Sequence, residues 1–488
     1  MQQLINKDDM KFIANKNATR SLIVLSIVLS ISGCSVSTDY DKKVGAESAT
    51  AVELQMGVYD THSLEAYVQQ IGARLVSHID NPQFEFQFKI LDDPNPNAFA
   101  LPGGYIFISR GLLGLVNNED ELACVMAHEI IHVTERHSVK QMRSNVLPSI
   151  VEIPGNIVGG VINEDLGNLI NAPITTGNSL LMAGYSRSHE SDADRLGIQL
   201  AAKAGYDPLA MNTILSRLNA AVELKTEHKT KRSYFDSHPY TADRVADVTE
   251  ESKDLTVANI APIHKDFVSQ VEGLLIGENP GKGLFKDHTF LQPEMKFVIE
   301  FPDKWKKVNY STVVATIDSS EDAAVVLTLA TNEFSAQQHA QRFKNDLKRR
   351  YSVDLNVDED ALDWGQSIYS VTLTNKDKKG TSYMTRGWVN LGIDTYQIVT
   401  ISTEEKKTLV DASAHSFRPM TDDELASFTQ LQLAVVETKQ NETLAELAQE
   451  HHNQGSLEFL ALMNALDETQ KLSQDKKVKV IIEVPFQQ

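Results

Sequence analysis

The sequence predicts an α+β molecule: a mainly helical first half holding a small sheet, a strand-rich α+β region, and a closing βααβ module. Three observations carry this. Apolar residues recur at helical spacing through much of residues 51–252, with two short strand-like runs among them. From about residue 253 the pattern turns to β-branched and aromatic runs, at Phe297–Phe301, Val313–Ile317, Ala324–Ala330, Ser367–Leu373 and Thr395–Ile401, interrupted by a helical stretch at Ala336–Arg349. The last segment reads as strand Leu433–Glu437, helices Glu442–Ala448 and Leu457–Leu466, and strand Val478–Val484. The expected divisions are a signal segment 1–33, a polar tether 34–50, a helical domain 51–252, an α+β domain 253–425 of unassigned role, and a terminal module 430–488.

The elements follow in order. Lys7, Lys11, Lys16 and Arg20 precede Ser21–Ser32, an apolar run too short to cross a bilayer as a helix, which marks an export signal. It ends Ile31-Ser32-Gly33-Cys34, similar to a bacterial lipobox, so Cys34 is the expected lipidation site. Leu64, Val68, Ile71 and Leu75 trace one helix face, and Phe84, Phe86, Phe88 and Ile90 alternate with polar residues as a half-buried strand. Residues 97–101 and Tyr105–Ile108 flank Pro102-Gly103-Gly104, a hairpin whose edge is a candidate for holding an extended peptide. Asn118 offers an N-cap with Glu121 three residues on, and Leu122, Val125, Met126, Ile130 and Val133 continue a buried helix. Residues 150–182 carry Pro154, Gly155, Gly159, Gly160 and Pro173, too interrupted for a membrane span, and read as helices and loops that either cover a cleft or, more simply, pack into the core. Residues 223–236 read as an exposed charged loop delivering His238.

The chemistry lies in His128-Glu129-Ile130-Ile131-His132. Positions four apart share a helix face, so both imidazoles can reach one metal ion while Glu129 projects beside it as a general base. Imidazole nitrogens suit Zn²⁺, and an open fourth position would admit water. His137, nine residues from His128, is expected on the opposite side of a continuing helix and is not counted as a ligand. A third ligand is available at Glu190, with Asp194 one turn on to accept a ring N–H from a ligand histidine. Read alone, that stretch is better taken as an acidic, solvated helix start; joined to the His-Glu-x-x-His motif, the ligand reading prevails.

These residues, with the Ser-Arg-x-x-Glu-x-x-Ala-Asp run from Ser186 to Asp194 and Ser237-His238-Pro239 followed by Arg244, resemble the peptidase family containing the CAAX prenyl protease, the heat-shock membrane protease HtpX and the periplasmic β-barrel assembly-enhancing protease. The resemblance covers roughly residues 50–250. It implies a gluzincin fold with one Zn²⁺ on His128, His132 and Glu190, Glu129 as catalytic base, Asp194 behind the ligands, and a regulatory or transition-state-stabilising role for His238. Ile131 departs from the small residue many members carry there. The terminal segment resembles a LysM module, which implies peptidoglycan contact. Asn441 replaces the usual Gly, however, and Asp475-Lys476 stands where a Gly-Gln turn is typical.

Composition bounds the partners. With 46 Lys+Arg against 66 Asp+Glu the formal charge is −20, which argues against nucleic acid. Of the 2 cysteines, lipidation of Cys34 would leave Cys124 alone, so packing and metal rather than a disulfide must hold the fold. The combined expectation is a lipid-anchored periplasmic zinc endopeptidase at the inner face of the outer membrane. Misfolded or stalled envelope proteins are its expected substrates, with the outer-membrane assembly machinery or peptidoglycan as further candidate partners. The rivals are an assembly chaperone with minor proteolysis and a peptidoglycan hydrolase.

Overall fold

The computed structural model describes residues 37–59, 61–144, 184–225, 234–263, 266–377 and 380–486. Cys34, the export signal and residues 150–182 lie outside them, as does the middle of the charged loop before His238. Among the described residues no helix is long and apolar enough to cross a membrane.

The expected tether is largely a helix, Thr38–Met56, capped by the Ser37 side chain. Its buried face is built from small residues, Gly45, Ser48, Ala49 and Val52, which leaves little apolar periodicity to read. Smallness is required there: a Cβ on Gly45 would lie 1.7 Å from the Pro102 carbonyl oxygen. Helix His62–Val76 buries Leu64, Val68, Ile71 and Leu75 as the spacing predicts. Strands β1 (Gln87–Leu91), β2 (Ala98–Leu101) and β3 (Tyr105–Ser109) form a sheet of order β1-β3-β2, with β1 parallel and β2 antiparallel to β3. The hairpin turn needs its glycines: Gly103 and Gly104 have φ of 85° and 108°, and a Cβ on Gly104 would meet the Glu85 carbonyl oxygen at 2.1 Å.

Helix Glu119–Thr134, the motif helix, begins at Asn118, whose side chain accepts from the Glu121 N–H at 2.8 Å. It runs through the core, burying every residue from Glu121 to Val133, Ile131 included. Helix Arg187–Lys203 lies against it, and Gly197 sets the approach: a Cβ there would be 3.1 Å from the His128 backbone nitrogen. Helices Ala210–Lys225 and Ala242–Ser252 complete the layer.

The strand-rich region forms a seven-stranded antiparallel sheet. Helix Ala336–Tyr351 packs on one face, and a four-stranded sheet with helix Lys407–His415 on the other. The terminal segment has the expected order: strand Thr429–Glu437, helices Leu444–Glu450 and Leu457–Met463, strand Lys477–Pro485. Asn441 and Asp475 both take left-handed φ, 66° and 60°, residue types that tolerate it. This module shares one hydrophobic core with the helical half: Leu433, Leu444, Leu460, Met463 and Val480 cluster with Leu113, Leu122 and Leu215. Strand Leu275–Ile276 pairs with Leu431 and Gln432, so the chain enters the terminal sheet before making the strand-rich region and returns to it afterwards.

Candidate metal centre

Four donor side chains from three elements converge, all buried: His128, His132, Glu190 and His238 each offer an atom within 4.8 Å of the others. His128 Nε2 and His132 Nε2 are 2.9 Å apart, as the i,i+4 spacing requires. Glu190 Oε2 is 3.7 Å from His128 Nε2, and Glu190 Oε1 is 3.4 Å from His132 Nε2. Two ligands about 2.0–2.1 Å from a tetrahedral Zn²⁺ lie roughly 3.4 Å apart, so the donor set fits such an ion. Glu129 beside them is fully buried, and neither of its carboxylate oxygens is hydrogen-bonded by another side chain or backbone group among the described residues. Burial raises its pKa, although His238 and His128 oppose the rise.

The flanking groups hold this arrangement. His128 Nδ1 is 2.9 Å from Asp194 Oδ1, as expected for a group behind a ligand. Arg244 clamps Asp194 with Nε and Nη2 at 2.6 and 2.7 Å, and its Nη1 reaches Glu190 Oε2 at 2.7 Å. Despite burial, His238 and the two motif histidines hold the Glu190 carboxyl well below its ordinary range, and Arg244 with His128 lowers that of Asp194. Burial lowers the His132 pKa well below its usual value.

His238 arrives on the end of helix Tyr234–Ser237, its ring stacked on Tyr234 at 4.5 Å. Its Nδ1 is 3.0 Å from Glu190 Oε1 and 3.3 Å from His128 Nε2, and its Nε2 is 3.4 Å from Glu129. Burial acts to lower its pKa, yet Glu129 and Glu190 lift it above the ordinary value. Two tyrosines engage β2 and the residues before it: the Tyr234 N–H donates to the Pro96 carbonyl at 3.2 Å, and the Tyr185 hydroxyl to that of Ala100 at 3.5 Å. Tyr185 also stacks on His132 at 3.8 Å and bonds Ser237 O through its N–H at 2.9 Å.

All six site residues predicted from the sequence among the described residues, His128, Glu129, His132, Glu190, Asp194 and His238, are thus brought together. The sequence reading missed the contacts of Arg244, Tyr185 and His137. The expectation that His137 lies opposite the ligands assumed a continuing helix. Instead the helix ends at Thr134, Arg136 takes φ of 55°, and the His137 ring folds back to 3.0 Å from His132 Nδ1. Arg136 gives no composition signal for that turn, because it stands where a glycine would have marked one.

Residues 62–252 match Peptidase family M48. A Vibrio cholerae protein provisionally named a beta-barrel assembly-enhancing protease is 32% identical over 249 residues, covering 50% of each chain, so this chain spans half of that relative's length. The beta-barrel assembly-enhancing protease of Escherichia coli K12 is 26% identical over 385 residues, 72% of this chain and 78% of its own. The mitochondrial metalloendopeptidase OMA1 of Schizosaccharomyces pombe is 28% identical over 219 residues, 44% of this chain and 62% of its own. The buried His/Glu cluster falls within the matched span, and residues 62–252 are a metallopeptidase domain of family M48.

Proposed function

We propose that this chain is a zinc-dependent endopeptidase acting on misfolded or stalled proteins of the cell envelope. One observation carries the chemistry: three converging donors lie beside a buried carboxylate that accepts no hydrogen bond among the described residues. His128, His132 and Glu190 would hold one Zn²⁺, which when bound supplies Lewis-acid polarisation of a peptide carbonyl and acidifies water. Glu129 takes the proton from the attacking water and passes it to the leaving amine; its raised pKa suits a group that must both accept and release a proton. Asp194 fixes the His128 ring, and Arg244 fixes Asp194 and Glu190 together. An extended substrate adds to the β2 edge once the Tyr185 and Tyr234 contacts have given way.

His238 is read as a plug: its Nδ1 already stands among the donor atoms, where the fourth ligand of a zinc ion would be. The export signal and Cys34 support a lipid anchor at the periplasmic face of the outer membrane, and the names of the bacterial relatives support a link to outer-membrane assembly. The βααβ order supports a LysM-like terminal module, a candidate for peptidoglycan contact.

Expression of wild type or Glu129→Gln in a strain lacking the gene tests this reading. We expect only wild type to restore the envelope proteome, with substrates accumulating in the variant strain. Full rescue by Glu129→Gln would establish the assembly-chaperone alternative instead.

A further inference from the structure

His132 has a partner behind it that the motif does not announce. Its Nε2 faces His128 Nε2 and Glu190 in the donor cluster, and once Nε2 is given to a metal ion the neutral ring carries its proton on Nδ1, the atom 3.0 Å from His137 Nδ1. We propose that His137 is the positioning residue of ligand His132, accepting its Nδ1–H and fixing ring orientation as Asp194 does for His128. The proposal rests on reading His132 as a metal ligand.

Three features hold His137 in that place. It is fully buried, and its ring stacks on His189 at 4.4 Å with planes 12° apart. The chain returns to His132 only because Arg136 takes a left-handed conformation that non-glycine residues seldom adopt. That turn is clamped from outside the motif. Arg136 Nε and Nη2 donate to the two carboxylate oxygens of Asp41 at 2.7 and 2.8 Å, and Asp41 is itself buried in the N-terminal helix. The N-terminal helix is therefore coupled to a metal ligand through two side chains.

The acceptor also matters chemically. Asp194 carries a charge, but Arg244 neutralises it, and His137 is an imidazole rather than a carboxylate. Neither partner then delivers an uncompensated negative charge to the ligand rings, which preserves the pull of a bound cation on a carbonyl.

The test is a competition titration of the metal-free full chain with Zn²⁺ against a chromophoric chelator. His137→Leu removes the acceptor and should weaken binding by about 10–100-fold, whereas His137→Gln, whose amide oxygen can accept the same proton, should recover most of the loss. Wild-type affinity in a folded His137→Leu chain would overturn the proposal, as would a Gln variant no better than Leu. Should His137→Leu fail to fold by circular dichroism, Gln against Phe at the same position makes the comparison. His132→Ala separates the two readings: if it too leaves affinity unchanged, the metal site itself is misassigned; if it abolishes binding while His137→Leu does not, this proposal alone fails.

Discussion

The His238 imidazole lies between the donor cluster and the base, 3.0 Å from Glu190 and 3.4 Å from Glu129. A nitrogen so placed either occupies the fourth ligand position and must leave before substrate is attacked, or remains to hydrogen-bond the developing oxyanion. These roles differ in sign. As a plug, its removal in His238→Ala should raise casein cleavage at equal zinc content; a fall of about 10²–10³-fold would assign the oxyanion role. At this scale, what could be read in advance follows local geometry. His128, Glu129 and His132 were legible from helical spacing, whereas Glu190 with Asp194 and then His238 were legible only beside that motif and through the resemblance to a peptidase family. His137 and Tyr185 were not legible, because one depends on a left-handed turn at an arginine and the other on packing across the fold.

Two helices crossing at a glycine bring the ligands together. With Gly197 pressed against the His128 backbone, Glu190 and Asp194, on the preceding turns, are carried to the ring nitrogens of the ligand histidines. Gly197→Val would place its Cβ 3.1 Å from the His128 nitrogen and its methyls closer still, forcing the helices apart. We expect a loss of about 1–3 kcal/mol in stability, read by thermal unfolding of the metal-free chain, together with weaker Zn²⁺ binding. Unchanged zinc affinity would mean that the crossing distance does not set the ligand geometry. The start of the motif helix was legible at Asn118, which carries a side-chain cap, and Ser186 caps the second helix in the same way in the structure. The N-terminal helix was not, since its buried face of Gly, Ser and Ala lacks the apolar stripe that distinguishes a helix from a tether.

At the scale of the molecule, the strand-rich region is held to the peptidase half by a buried charge cluster. Asp92 accepts from Arg110 Nε at 2.6 Å and from Asn279 at 2.5 Å, with Lys282 Nζ 3.2 Å away, while Arg110 also donates to the carbonyls of Leu275 and Gly277. Burial acts to raise the Asp92 pKa, but Lys282 and Arg110 hold it below its ordinary value. In the window below about pH 4 the unfolded chain therefore binds more protons than the folded one. The stability Asp92 contributes is thus present above about pH 4 and is lost as pH falls through its folded value. Asp92→Asn should flatten that acid slope in urea unfolding between about pH 3 and 7, and by leaving Arg110 without its counter-charge should cost about 3–5 kcal/mol at neutral pH. An unchanged acid dependence would remove Asp92 from this role. A second tie lies at the other end: Lys479 of the terminal module, fully buried, donates to the carbonyls of Gly114 and Val116 just before the motif helix. The sharing of one core by the first and last segments was not legible, because the pairing of Leu275–Ile276 with residues far along the chain leaves no local pattern.

The central claim is that Glu129 works beside the metal without holding it, and casein turnover by Glu129→Gln at measured zinc content tests it most directly. The account predicts one zinc per chain, as in wild type, with turnover lower by about 10²–10⁴-fold. Loss of the metal from the variant, or turnover equal to wild type with the metal in place, would contradict it.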